Sequence, residues 1–190
     1  MFKKRLIVLA FVLLSLSSVA YIIFKVYVSK KTPTPVQNSN PVTKPADLSA
    51  IVPGTTTREE VIGKLGMPIK NIQTAGDETL SYNSTNKNLD SQIIIEKGVV
   101  VLVKEMVSYS DTKKVSGISK KYGVAIYSLF GPNSAGGSKL YIYPDKGIAY
   151  IGNPEFDALE EIWYFVPTSI NDFKKKWAAN YSEKEILNLY

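Results

Sequence analysis

The chain has 190 residues, with 23 lysines and arginines against 17 aspartates and glutamates, and it contains neither cysteine nor histidine. The absence of both residue types excludes disulfides, thiolate nucleophiles, Cys/His zinc sites and Ser-His-Asp triads. The surplus of six positive charges lies entirely in residues 1–50, whereas residues 51–190 carry 16 basic and 16 acidic side chains. Because a nucleic-acid-binding domain concentrates cations on its folded part, we expect no nucleic-acid partner.

The first 31 residues have the pattern of a transmembrane signal anchor. Residues 6–24 form an apolar run that, as a helix, covers about 28 Å, close to the hydrocarbon thickness of a bilayer. Basic residues flank it on both sides: Lys3, Lys4, Arg5, Lys25, Lys30 and Lys31. A cleaved signal peptide is the alternative, since Ser18-Val19-Ala20 has suitably small residues, but the apolar run continues past that site. We therefore expect a single-pass membrane protein with residues 51–190 outside the cytoplasm.

Residues 32–50 are rich in proline, threonine, asparagine and serine. The prolines oppose both helix and sheet formation and favour an extended, semi-rigid spacer. This segment therefore predicts a stalk between the membrane and the folded part. A disordered linker without a length requirement is an equally good interpretation.

The globular sequence begins at Ile51 and opens with a short helix. Thr56 or Thr57 can cap the helix N-terminus, and Glu59 or Glu60 three residues later completes a capping box. Gly66 and Pro68 then end the helix. The stretch is a poor phosphate-binding loop, because no Gly-Lys-Ser/Thr sequence follows its glycine.

The order helix, strand, hairpin occurs twice along the chain. Strands are expected at 79–84 and, around a Lys97-Gly98 turn, within 91–107; a helix capped by Asp111 and ended by Gly123 is followed by strands at 139–143, 148–152 and 160–167. Ser169 or Asn171 can cap a further helix, and Ser182 a last short one. We predict an α+β fold: an antiparallel sheet with short helices packed on one face, in two tandem units, 51–110 and 111–190. Chance similarity between the two halves is the alternative.

The opening of the first unit resembles a known family. Ile51, Gly54, Thr56 or Thr57, Val61, Leu65, Gly66 and Pro68 match the pattern that begins the SmpA/OmlA (BamE-like) domains. The likeness continues through residues 79–84 and 91–106, and a tandem arrangement is similar to the β-lactamase-inhibitor-protein fold. The resemblance implies an extracytoplasmic, non-enzymatic α+β module used for contact with other proteins. The N-terminal cysteine that anchors the family's lipoproteins is absent from this chain.

Candidate chemistry is sparse. Glu160 and Glu161 are adjacent on a predicted strand, so they are expected on opposite faces and unable to act together on one bond. Glu59 and Glu60 are explained by the helix dipole. The loop at 83–91 offers few charged oxygens for calcium. We therefore expect no catalytic residue, no metal ion and no cofactor.

The aromatic residues of the second unit are the better functional candidates. Tyr141 and Tyr143 share one face of their strand, while Trp163 and Phe165 share one face of another. If the helices cover the opposite, aliphatic face, an open aromatic surface remains, and such residues dominate binding hot spots. The candidate protein-interaction face comprises Tyr141, Tyr143, Tyr150, Trp163 and Phe165. The alternative is that the C-terminal helix covers these rings and makes them core.

The sequence as a whole favours a membrane-anchored, extracytoplasmic module that binds another envelope protein, whose identity the sequence does not reveal. We expect residues 6–24 to contact the membrane itself. An envelope glycan-binding or hydrolytic domain using carboxylates and tyrosines is the alternative function. A purely structural envelope spacer is a third.

Overall fold

The computed structural model describes residues 44–74, 76–132 and 137–185. The predicted membrane anchor, residues 32–43 of the predicted stalk and the end of the chain after Glu185 lie outside this range. Residues 44–50, the rest of that segment, belong to the described fold, and Leu48 is part of its core. Within it, no helix combines the length and the apolar character needed to span a bilayer. The predicted short helix after Ser182 also falls largely outside it, and Ser182 itself forms a β-bridge with Phe130.

The described residues form an α+β fold around one eight-stranded antiparallel sheet, with strand order β1-β2-β3-β4-β8-β7-β6-β5. The helices are α1 (Arg58–Leu65), α2 (Val115–Tyr122) and α3 (Ile170–Trp177). The first four strands are β1 (Lys70–Gln73), β2 (Asp77–Tyr82), β3 (Ser91–Glu96) and β4 (Val99–Met106). The last four are β5 (Tyr127–Leu129), β6 (Lys139–Tyr143), β7 (Ile148–Asn153) and β8 (Ala158–Phe165). A helix followed by four strands thus occurs twice, and we call residues 58–106 the first half and 115–165 the second half.

The predicted capping box opens α1. The Thr57 hydroxyl accepts a hydrogen bond from the Glu60 N–H, and the Thr57 N–H donates to Glu60 Oε2 at 2.7 Å. Arg58 then donates two hydrogen bonds to Glu78, at 2.7 and 3.0 Å. Burial acts to raise the pKa of Glu78, but hydrogen bonds from Arg58 and Asn71 outweigh it and hold the pKa below its ordinary value. The start of the first half is therefore fixed to β2 by a charge-assisted pair.

The start of α2 differs from the prediction. Asp111 is not its cap, because the Asp111 carboxylate accepts from the Ser108 N–H, and the helix begins only at Val115. The capping role falls to Asp157, which accepts from both the N–H and the hydroxyl of Ser116 at 2.7 and 2.9 Å. These hydrogen bonds favour the charged carboxylate and lower the pKa of Asp157. A residue 41 positions away thus anchors α2 to the β7–β8 turn.

The helices cover both faces of the sheet, which corrects the prediction that they pack on one. We call the face under α1 and α2 the front face: Val61 packs there near Leu80 and Ile93, and Ile118 near Tyr150 and Ile162. The opposite, back face carries α3. Its core is Leu102, Leu129, Leu140, Ile142, Ala149, Trp163, Phe165, Phe173 and Ala178. The physical reason is that the strands bear large apolar side chains on both faces, so each face needs a cover.

Each half contains the same contact between a helix end and a strand. Gly66 and Gly123 follow α1 and α2 with positive φ angles of 79° and 83°, a backbone conformation that favours glycine. The Tyr82 hydroxyl donates to the Gly66 carbonyl at 3.1 Å, and the Tyr143 hydroxyl donates to the Gly123 carbonyl at 2.8 Å. We call each contact a tyrosine latch. Each latch ties the end of a front-face helix to the sheet below it.

The two central strands of the sheet, β4 and β8, each contain a β-bulge. The β3–β4 register skips Val101, and the β7–β8 register skips Glu160. In each case the extra residue is the third of its strand, β4 or β8. A bulge breaks the strict alternation of side chains between the two faces. The two halves therefore share this local irregularity as well as their order of elements.

Replacing Tyr82 or Tyr143 with phenylalanine should lower the free energy of unfolding of the full chain by about 1 kcal/mol, because the latch hydrogen bond is lost. Urea denaturation followed by tryptophan fluorescence measures the change. Tyr127→Phe, at a more exposed tyrosine, is the matched control and should be near neutral. Equal effects at all three positions would show that the latches contribute no specific stability.

Candidate functional site

The five aromatic candidates do not form one open face. Tyr143 and Tyr150 lie on the front face under α2, and Trp163 and Phe165 lie on the back face under α3. These four side chains are buried, with exposures of 5% or less, and Tyr141 is half-buried. The expected open surface is absent because α2 and α3 cover opposite faces. These four residues therefore belong to the core, in line with the alternative interpretation.

The front-face tyrosines pack as a structural cluster. The rings of Tyr141 and Tyr150 are stacked with centroids 4.9 Å apart, and the Tyr143 hydroxyl forms the second tyrosine latch. Burial raises the pKa of Tyr150 above its ordinary value. Neutral phenols held in this way supply packing and hydrogen bonding, and Tyr141 is the member that reaches the surface.

A cavity of about 240 Å³ opens on the back face beside the end of α3. Its polar lining comes from Ser138 and Lys139 at the start of β6, Glu160 and Glu161 in β8, and Tyr181 after α3. Leu140 and Ile151 supply apolar lining. A concave site with a few convergent polar groups is the usual form of a small-ligand site. This cavity is therefore the candidate functional site, and we call it the glutamate cavity.

Glu160 and Glu161 both line the glutamate cavity, which corrects the expectation that they lie on opposite faces. The cause is the bulge in β8: Glu161 pairs with Ile151 and Leu159 with Gly152, while Glu160 has no partner in the register. Two consecutive side chains are thereby directed toward one side of the sheet. The alternation rule failed here because the sequence carries no signal for the bulge.

Glu161 is the most perturbed acid of the site. Burial raises its pKa, and the neighbouring Lys104 and the Trp163 indole act in the opposite direction. Lys104 lies over the Trp163 ring, with Nζ 4.0 Å from the ring centroid, and burial lowers the pKa of this lysine. Glu161 Oε1 and Trp163 Nε1 are buried without a regular hydrogen bond in the described structure. Oε1 is therefore held inside the protein near the indole, while Glu161 as a residue contributes to the cavity wall.

The remaining groups lie around Glu161. The Ser138 hydroxyl donates to Glu160 Oε1. Lys139 lies over the Phe130 ring, with Nζ 4.3 Å from the centroid. The Tyr181 ring meets Trp163 edge-on, with centroids 6.1 Å apart and planes at 88°. Burial raises the pKa of Tyr181 to about 12, so this phenol is neutral at physiological pH and can donate a hydrogen bond.

The site offers two carboxyl groups, a hydroxyl, an ammonium group and a phenol around one cavity. Among the described residues, no group of three or more His, Cys, Asp or Glu side chains is placed to hold a metal ion. The groups that line the cavity can therefore act on a ligand through hydrogen bonding and charge. The sequence signal that could have found the site is an acidic pair inside an otherwise apolar strand.

A second exposed feature is the outer edge of β5. Val124, Ile126 and Tyr127 have exposures of 87%, 79% and 37%, and residues 123–132 contain no charged side chain. β5 is the last strand of the sheet, and Phe130 exchanges two backbone hydrogen bonds with Ser182, at 2.7 and 2.9 Å. We call residues 124–130 the β5 edge. It is an apolar strand edge that already accepts one antiparallel bridge.

Glu161→Gln should change how the stability of the full chain depends on pH. The raised pKa means that the folded state favours the protonated acid, so wild-type stability falls as pH rises from about 4.3, the ordinary value for glutamate, through the folded pKa. The Glu161→Gln variant has no carboxyl to ionise at this position, so its free energy of unfolding relative to wild type should rise over the same pH range. Urea denaturation at several pH values measures the difference. Glu155→Gln, in the exposed β7–β8 turn, is the matched control, and parallel curves for all three proteins would contradict the assignment.

The sequence matches no protein-family model. It also matches no curated protein. Among solved structures, the fold is similar to a DUF4309 family protein, YjgB, from Bacillus subtilis, with 9% identity over 62% of this chain and 83% of that chain and a TM-score of 0.46. It is also similar to an extracellular protein containing a SCP domain from Bacillus anthracis, with 16% identity and a TM-score of 0.45. That match covers 81% of this chain but only 56% of the other.

Proposed function

We propose that this protein is a membrane-anchored, extracytoplasmic, non-enzymatic module that binds another envelope protein. The observation that carries the proposal is the β5 edge, where apolar side chains and an outer strand edge are exposed together. Soluble proteins normally protect such an edge with charged side chains, prolines or a covering segment. An edge kept apolar is suited to receive a strand from a partner.

The mode of binding is addition of a strand to the sheet. A partner segment in extended conformation pairs with the outer backbone groups of β5, and its apolar side chains pack beside Val124 and Ile126. The Phe130–Ser182 bridge supports the antiparallel direction, because it is an antiparallel pairing made at the end of the same segment. The occupant is therefore an extended, uncharged segment of another protein.

The proposal includes a duplicated architecture of SmpA/OmlA (BamE-like) units. Its support is the recurrence in both halves of three features: a helix followed by four strands, a tyrosine latch, and a bulge at the third residue of the last strand. Independent halves would have no physical reason to share all three. Each unit supplies one side of the sheet, and the second carries the apolar edge.

The β5 edge is tested with a photo-crosslinking amino acid at Val124 of the full chain, expressed in its native host. Irradiation should give a discrete adduct with one envelope protein, identified by mass spectrometry. The further change Ile126→Lys should reduce this adduct by about tenfold, because a charge at a strand edge opposes pairing.

The control places the same crosslinker at Leu89, which is 54% exposed in the β2–β3 loop. Adducts that are equal at the two positions, or unaffected by Ile126→Lys, would remove the β5 edge as the binding site.

The membrane anchor has its own test, because residues 6–24 lie outside the described part of the chain. Full-length protein should sediment with membranes and resist extraction by salt and alkaline carbonate, since an apolar helix of that length is stable in a bilayer. A chain beginning at Lys44, which keeps the buried Leu48, should remain in the soluble fraction. Equal partitioning of the two chains would disprove the anchor.

A further inference from the structure

The glutamate cavity contains an acidic residue where the fold itself accepts an apolar one. Leu102 is the fourth residue of β4, directly after the bulged Val101, and Glu161 is the fourth residue of β8, directly after the bulged Glu160. Leu102 is 1% exposed and belongs to the back-face core. The sheet therefore does not require a carboxyl at this place. In the second half, Glu161 occupies the equivalent position at a cost to stability.

The cost arises because a half-buried carboxyl loses hydration. Burial is unfavourable for a charged group, and it raises the pKa of Glu161 although Lys104 and the Trp163 indole act against it. Glu161 Oε1 and Trp163 Nε1 are buried beside each other without a hydrogen bond of regular geometry. The side chains that line the cavity, by contrast, carry hydrogen-bonding groups: Ser138, Lys139, Glu160, Glu161 and Tyr181. The cavity is thus suited to a ligand that carries hydrogen-bonding groups.

The charges around the cavity favour a neutral ligand. Glu160 and Glu161 are matched by two cations, Lys139 in the lining and Lys104 behind it. A strongly anionic ligand meets the carboxyl groups, and a strongly cationic ligand meets the lysines, so either suffers like-charge repulsion. A neutral ligand with several hydroxyl groups avoids both. Its hydroxyls can donate to the glutamates and accept from Lys139.

The volume of the cavity and its aromatic wall restrict the class of ligand further. The cavity volume of about 240 Å³ is below the range of about 300–1,000 Å³ that accommodates drug-sized ligands. Tyr181 presents a ring at the wall, and the C–H groups of a sugar face carry the partial positive charge that aromatic faces attract. We propose that the glutamate cavity binds one pyranose ring of a neutral oligosaccharide, with Glu160 and Glu161 engaging its hydroxyls and Tyr181 packing on its C–H face.

The test uses the full chain in a detergent without a sugar headgroup and titrates it calorimetrically with two neutral trisaccharides, maltotriose and the N-acetylglucosamine trimer. At least one should bind saturably. Glu160→Ala should weaken that binding by about tenfold, because a hydrogen bond to a charged group is lost. Glu160 is exposed, so this variant does not depend on refolding a core. Ser138→Trp, which places a bulky ring at the cavity wall, should abolish binding.

The matched control is Glu155→Ala, which should bind like wild type. Absence of saturable binding with both trisaccharides would overturn the proposal, as would equal affinities in Glu160→Ala, Ser138→Trp and Glu155→Ala. The result is separable from the proposed protein contact, since crosslinking at Val124 reports on the β5 edge alone.

Discussion

The rest of the structure depends on the antiparallel pairing of β4 with β8. This pair joins the two halves into one sheet, and it aligns Val103 with Tyr164 and Lys104 with Trp163. The first pair faces the front core and the second faces the back. A shift of one residue would exchange these faces, moving Lys104 toward the front core and apolar side chains away from their helices. The packing of all three helices therefore holds the register, and the register in turn holds Lys104 over the Trp163 ring.

The two halves share a backbone arrangement but differ in the side chains they place on it. At the bulge, β4 has Val101 and Leu102 where β8 has Glu160 and Glu161. After the helix-ending glycine, the fourth residue is Lys70 in the first half and Tyr127 in the second. A lysine protects a strand edge, whereas a tyrosine leaves it apolar. In both comparisons the first half has the residue that serves stability or solubility, and the second half has the one on which a proposed binding site depends.

Local signals made much of the fold predictable. The α1 capping box, the Lys97-Gly98 turn and the Ser169 cap of α3 depend on residues close together in the chain, so their patterns were sufficient. The cap of α2 was not predictable, because its acid, Asp157, belongs to a distant turn. The short edge strands β1 and β5 carry too few residues for a periodic signal.

The candidate site was harder to predict than the fold, because it depends on departures from regular structure. Alternation placed Glu160 and Glu161 on opposite faces, but the β8 bulge directs both toward one cavity. The same alternation correctly separated Tyr141 from Leu140, yet it could not tell which face α3 would cover. Coverage is decided by tertiary packing around Phe173, whose ring lies 4.8 Å from that of Phe165. The half-buried Glu161 is tolerable because the first half supplies Lys104 across the β4–β8 pair. Lys104 therefore comes from the first half, although every residue that lines the glutamate cavity lies in or after the second half.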